Sequence, residues 1–271
     1  METQLTFLKK HLLLFSNFLS FNLIALLIPT FCYSGSSFDQ LILDRLSADK
    51  KTLNLSGTNI GPREAKVLAE MELLTSVETL LLQGNKIKYK GLKALTRSPH
   101  ARNLKQLDLW GNMVGDLGLK ALAESPYIKG LEVLKIWKNE IGDDSLEILV
   151  ASPNFKLLKT LMLNDNMVTP IGVGYLADPK IFPKIETINL FRNSIGDAGA
   201  LILSRSKPFI NLRAIYLGEN NISDIGAVAL IKSNSFPKLG VLDMVKNNLG
   251  LETAKAIFTH SKDRNIQIII R

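Results

Sequence analysis

The sequence predicts an α/β solenoid built from short parallel strands and helices, and three observations predict it. Asparagines recur every 27 residues, at Asn85, Asn112, Asn139, Asn166, Asn193, Asn220 and Asn247. Ahead of each lies an alternating apolar run such as LKQLDL at Leu104, with the period of two that marks a strand. Behind each lies a run such as VGDLGLKALAESP, with the spacing and stop signals of a helix. A fixed period in this range marks stacked coils, none of which can bury its own apolar face alone.

Before the repeats, residues 1–34 read as a leader. Lys9, Lys10 and His11 precede a 22-residue apolar span from Leu12 to Tyr33, and Ser34, Gly35, Ser36 and Ser37 close it. Basic, then apolar, then small is the order of a secretory signal peptide. The span is also long enough to serve as an uncleaved membrane anchor over residues 12–33. Cys32 offers a third reading, a lipid attachment site, although Phe31 stands where a small residue is usual. All three readings carry the remaining chain out of the cytoplasm, to the periplasm, the exterior or the membrane surface. Residues 35–50, with FDQLILDRLSADKK from Phe38, read as an amphipathic N-terminal cap helix.

The repeat domain is expected over residues 51–271. Seven complete copies begin at Val77, Leu104, Leu131, Leu158, Ile185, Leu212 and Leu239. An earlier copy, TLNLSGTNI, places Thr58 in the asparagine slot. In each copy the paired apolar residues, such as Leu107 and Leu109, point inward. The asparagine amide is expected to satisfy backbone groups freed where the chain turns. Asp116, Asp143, Asp197 and Asp224 stand where helices begin and are expected to cap their free N–H groups. Leu68, Leu95, Leu122, Leu149, Leu176, Leu203, Leu230 and Ile257 share one helix slot and are its inward anchors. Gly91, Gly118, Gly172, Gly199 and Gly226 share another, where a side chain is expected to crowd the strand layer. Ser98-Pro99, Ser125-Pro126 and Ser152-Pro153 end helices, because a residue before proline leaves the helical region. NIQIIIR at the C-terminus reads as a closing cap strand.

The pattern L-x-x-L-x-L-x-x-N-x-I resembles the leucine-rich repeat family over about Lys50 to Arg271. The second half of each unit, I-G-D-x-G-x-x-A-L, resembles its ribonuclease-inhibitor-like subclass, whose units usually run a residue or two longer. The resemblance implies a right-handed horseshoe of about eight 27-residue repeats, with strands on the concave face and helices on the convex face. It also implies a scaffold that binds another protein; some members inhibit enzymes or regulate small GTPases. A single cysteine rules out the disulfide-bonded caps of extracellular animal and plant members, which points to a bacterial exported protein.

On the concave face, two columns of side chains are expected to point outward. One holds Asp108, Lys135, Met162, Asn189 and Tyr216; the next holds Gln83, Trp110, Trp137, Asn164 and Phe191. Trp110 and Trp137 fall side by side, about 5 Å apart at the backbone. Met162, Phe191 and Tyr216 are expected to continue the patch, with Lys135, Lys138 and Arg192 at its border. Exposed aromatics of this kind mark docking sites. The competing reading is that the rings pack on one another and only strengthen the sheet.

Composition narrows the function. The net charge of +8 favours acidic partners or anionic surfaces and reads as spread along the chain, with no nucleic-acid-binding module. One cysteine and three scattered histidines supply no thiolate metal site and no catalytic motif. No phosphate-binding glycine loop appears, so neither catalysis, metal nor cofactor is expected. The partner is expected to be a protein. A membrane is expected to be met only through the N-terminal segment, if that remains uncleaved.

Overall fold

A computed structural model describes residues 37–260 and 265–271. The expected leader, residues 1–34, lies outside the described residues. The chain divides into two compact units, residues 1–41 and 42–271. The first described helix, α1 (Ser37–Arg45), contains that division, and Ile42 in the second unit is fully buried.

The second unit is one parallel sheet in chain order, β1 to β9, with a helix after each of the first eight strands. The strands are three residues each: β1 Thr52–Asn54, β2 Thr79–Leu81, β3 Gln106–Asp108, β4 Val133–Lys135, β5 Thr160–Met162, β6 Thr187–Asn189, β7 Ala214–Tyr216, β8 Val241–Asp243 and β9 Gln267–Ile269. The helices between them are α2 Pro62–Glu70, α3 Lys88–Thr96, α4 Gly115–Ala123, α5 Asp143–Ala151, α6 Pro170–Leu176, α7 Gly196–Ser204, α8 Asp224–Lys232 and α9 Leu251–His260. The fold class is the expected one.

Register follows from the repeat. Leu53, Leu80, Leu107, Leu134, Leu161, Ile188, Ile215 and Leu242 pair in one line across the sheet, and Ile268 continues it. The first eight are 3 % exposed or less, and each buried aliphatic side chain contributes about 1.5–3 kcal/mol. The last step is one residue shorter, because Gln267 pairs with Val241. At the other end, Leu46 bridges antiparallel to Leu53, and Ser47 N–H donates to the Thr52 carbonyl at 2.8 Å. Strands stack about 4.8 Å apart while packed helices need 8–10 Å, so the stack bends with its sheet inside.

The asparagines do more than close their own turn. Asn112 Nδ2 donates to the Leu109 carbonyl of its own coil (3.0 Å) and to the Leu82 carbonyl of the coil before (2.8 Å). Its Oδ1 accepts from Ile87 N–H at 3.3 Å. Each buried amide therefore rivets two coils.

The aspartates correct one expectation. Asp116 does not cap its own helix, whose start has no side-chain cap; it accepts from Gly142 N–H of the next coil at 2.8 Å. Asp143, Asp197 and Asp224 likewise accept from Thr169, Ser223 and Gly250 N–H. Stacking sets each helix start beside the previous coil's carboxylate.

The glycine slot is also corrected. A Cβ on Gly91 would meet Ile87 Cγ2 at 2.7 Å and Ala65 Cβ of α2 at 3.0 Å; one on Gly226 would meet Ala200 Cβ of α7 at 2.8 Å. The crowding is thus against the coil's own turn and the neighbouring helix, rather than the strand layer.

Two further ladders escaped the sequence reading. Ser125 and Ser152 hydroxyls donate to the Thr96 and Ala123 carbonyls one coil back, at 2.5 and 2.6 Å. Phe155, Phe182, Phe209 and Phe236, again 27 apart, are 1–2 % exposed and fill the layer after the helices. Phe209 and Phe236 stack at 6.1 Å.

Candidate functional site

Trp110 and Trp137 lie on the sheet's open face, one residue past the second inward leucine or isoleucine of their coils. Their rings stack, centroids 4.3 Å apart and planes within 8°. Both side chains are half-buried. The Trp110 indole N–H is shut away from solvent and finds no hydrogen-bond partner among the described residues. Such an unmet buried donor is uncommon in a folded protein.

The first column supports the pair from below. Asp108 is 2 % exposed. Its carboxylate accepts from the Trp110 backbone N–H (3.2 Å) and from Gln83 Nε2 (2.8 Å), and Lys135 Nζ lies 3.6 Å away. The aspartate thereby fixes the turn that presents Trp110. Asn189 makes the same turn, accepting from Phe191 N–H at 2.9 Å. The sequence signal was an Asx residue two places before Trp110 and before Phe191, which bonds its own backbone two residues on; Trp137 has Lys135 there instead. Lys135 is therefore already engaged.

Met162 pairs in register with Lys135 and Asn189, and Tyr216 with Asn189 and Asp243, both half-buried. Phe191 lies two coils on from Trp137, with Asn164 between. Its ring lies over Gly218, where a Cβ would come within 2.5 Å of it. Gly218 therefore makes the space that Phe191 fills, on the far side from the tryptophans.

The rim carries an alternating ladder that the sequence reading missed. Lys138, Asp165, Arg192, Glu219 and Lys246 each precede a slot asparagine, and each has φ between 52° and 55°. Gly57, Gly84 and Gly111 hold that slot in earlier coils, where the left-handed conformation suits glycine. Arg192 is held by Asp165 at 3.0 Å and by Glu219 at 2.8 Å, and Lys246 reaches Glu219 at 2.8 Å. The Arg192 guanidinium, and after it the Lys246 ammonium, lowers the Glu219 carboxyl to about 2. Lys138 is exposed. Of the three border cations it alone makes no ion pair among the described residues.

Among the described residues, no three His, Cys, Asp or Glu side chains gather where they could hold a metal. His100 Nδ1 lies 3.2 Å from Thr75 Oγ1, and His260 Nδ1 lies 2.6 Å from Thr259 Oγ1. No described helix is long and apolar enough to cross a membrane.

The fold and this face define a solenoid-scaffold class of protein. Four stretches, residues 74–95, 100–123, 183–204 and 210–230, match the family model described as Leucine Rich repeat. These matches support a leucine-rich repeat family, and the architecture is that of an α/β leucine-rich repeat solenoid. A search of curated proteins finds no match to the chain.

Proposed function

We propose that the protein is a non-catalytic scaffold that docks another protein on its sheet face, with Trp110 and Trp137 as anchors. The stacked indole pair carries this reading. Large rigid rings give contact area at small entropic cost and dominate binding hot spots. The buried, unpaired Trp110 N–H is a donor that a partner carbonyl can satisfy if docking opens it. Met162, Lys135 and Lys138 flank the anchor, and Phe191, Tyr216 and Arg192 form a second contact zone beyond Asn164. The basic, apolar and small segments of residues 1–34 support export, whether as signal, anchor or lipid site. The I-G-D-x-G repeat halves support the ribonuclease-inhibitor-like subclass, and the lack of cysteine pairs supports a bacterial exported member.

The test is crosslinking capture by the full chain from its native compartment, identified by fractionation and N-terminal sequencing. The double change Trp110→Ala and Trp137→Ala should lose the captured partner while the protein still melts cooperatively. Capture that survives the double change removes the proposal.

A further inference from the structure

The expectation that the excess positive charge is spread along the chain does not hold. Residues 86–107 carry seven Lys and Arg and no Asp or Glu; the remaining 26 Lys and Arg nearly balance the chain's 25 Asp and Glu. Lys105 is held by Glu78 at 2.7 Å, whereas Lys86, Lys88, Lys90, Lys93, Arg97 and Arg102 make no ion pair among the described residues. Two coils later the sign reverses: residues 139–155 hold Glu140, Asp143, Asp144 and Glu147 and no Lys or Arg. Asp143 is used by Thr169 N–H, but Glu140, Asp144 and Glu147 are exposed.

These charges occupy matching slots of the repeat. Lys90 on α3 and Asp144 on α5 are 54 residues apart in one slot, with Leu117 of α4 between them. Lys93 and Glu147 share a second slot, with Lys120 between, and Lys86 and Glu140 a third, with Met113 between. Leu117 is 61 % exposed and Met113 44 %. Across three successive coils, two of these slots therefore read cation, apolar, anion, and the Lys93 slot reads cation, cation, anion.

We propose that this helix face docks a second copy of the chain. A two-fold axis lying in the contact and parallel to α4 sets Lys90 opposite Asp144 of the other copy, Lys93 opposite Glu147 and Lys86 opposite Glu140. Each pairing occurs twice, as an isologous contact demands. Leu117 and Met113 then meet their own counterparts on the axis. Lys120 also meets its counterpart, with Glu124 of its own chain 3.9 Å away to offset the like charge. An axis perpendicular to α4 would face Lys90 with Lys90, so the pattern selects the orientation as well as the partner. An acidic protein or a nucleic acid would account for the basic coil alone and would be repelled by the acidic one roughly 20 Å away. Three nine-residue helices offer roughly 400 Å² per copy. That is below the usual stable interface, so the dimer is weak and salt-sensitive. It leaves both sheet faces outward and does not depend on what those faces bind.

Sedimentation velocity of the full chain, followed over concentration at low and high salt, tests this. The wild type should dimerise at low salt and dissociate at high salt. Lys90→Glu with Lys93→Glu, and separately Asp144→Lys with Glu147→Lys, should each weaken association by about tenfold or more. An equimolar mixture of the two double variants should re-form a dimer within about threefold of wild type, because each junction then regains opposite charges. Several results would overturn the proposal: a monomer at all concentrations, dimerisation insensitive to salt, or a mixture that stays monomeric. So would loss of association with the lysine changes but not with the acidic ones. Thermal melts of both variants should stay close to wild type, since all four side chains are exposed.

Discussion

The Trp137 indole lies flat on that of Trp110, with centroids 4.3 Å apart and planes within 8°. These are the chain's two tryptophans, so their coupling has a clean optical signature. The far-UV circular dichroism should contain an exciton couplet that disappears in Trp110→Phe and in Trp137→Phe alike. Trp137→Ala should also cost about 0.5–1.5 kcal/mol beyond the buried area lost, read from urea melts. A couplet that persists in either single variant would mean the rings do not stack in solution.

Asn112 is fully buried and joins two coils through both ends of its amide. Replacing it with alanine leaves the buried Ile87 N–H without its acceptor, at about 1–3 kcal/mol, and takes one of two donors from each of the Leu82 and Leu109 carbonyls, which keep Asn85 and Asn139. Asn112→Ala is therefore expected to lose about 2–4 kcal/mol in chemical denaturation. Asn112→Asp should not rescue it, because the carboxylate has no N–H to give to Leu82 and Leu109.

Two glycines in α6 should respond in opposite directions. A Cβ on Gly172 would run into Asp143 Oδ1 and come within 2.9 Å of Leu146 Cδ1, whereas one on Gly174 meets nothing within 4 Å. Gly172→Ala should destabilise by about 1–3 kcal/mol through overpacking. Gly174→Ala should stabilise by about 0.5–1 kcal/mol, since alanine loses less backbone freedom in a helix. Thermal melts of the two single variants decide this, and equal shifts would count against the helix packing described.

Glu219 carries a pH dependence with a definite sign. Its carboxyl sits at about 2 when folded against an ordinary value of 4.5. A carboxyl lowered by folding adds stability above its ordinary value and loses it as pH falls towards its folded value. Wild type should therefore lose this share between pH 4.5 and 2, and Glu219→Gln should lack it. The difference between the two melting curves should shrink across that window, and also in 0.5 M salt. A difference that stays constant down to pH 2 would contradict the Arg192–Glu219–Lys246 ladder.

By itself, the sequence determined the period, the strand register and the inward residues. Alternation commits Leu107 and Leu109 to one side, and a constant 27-residue spacing stacks identical slots on one another. That was enough to place Trp110 and Trp137 side by side on the open face. Only the tertiary structure decided what crosses between coils: Asp116 serving the next coil's Gly142, Asn112 reaching back to Leu82, and Arg192 locked by Asp165 and Glu219. It also turned Phe191 over Gly218, on the far side from the tryptophans. These outcomes depend on rotamers and on gaps of an ångström or less between residues about 27 apart. A pattern of residue types specifies which side chains become neighbours, but packing specifies how they meet.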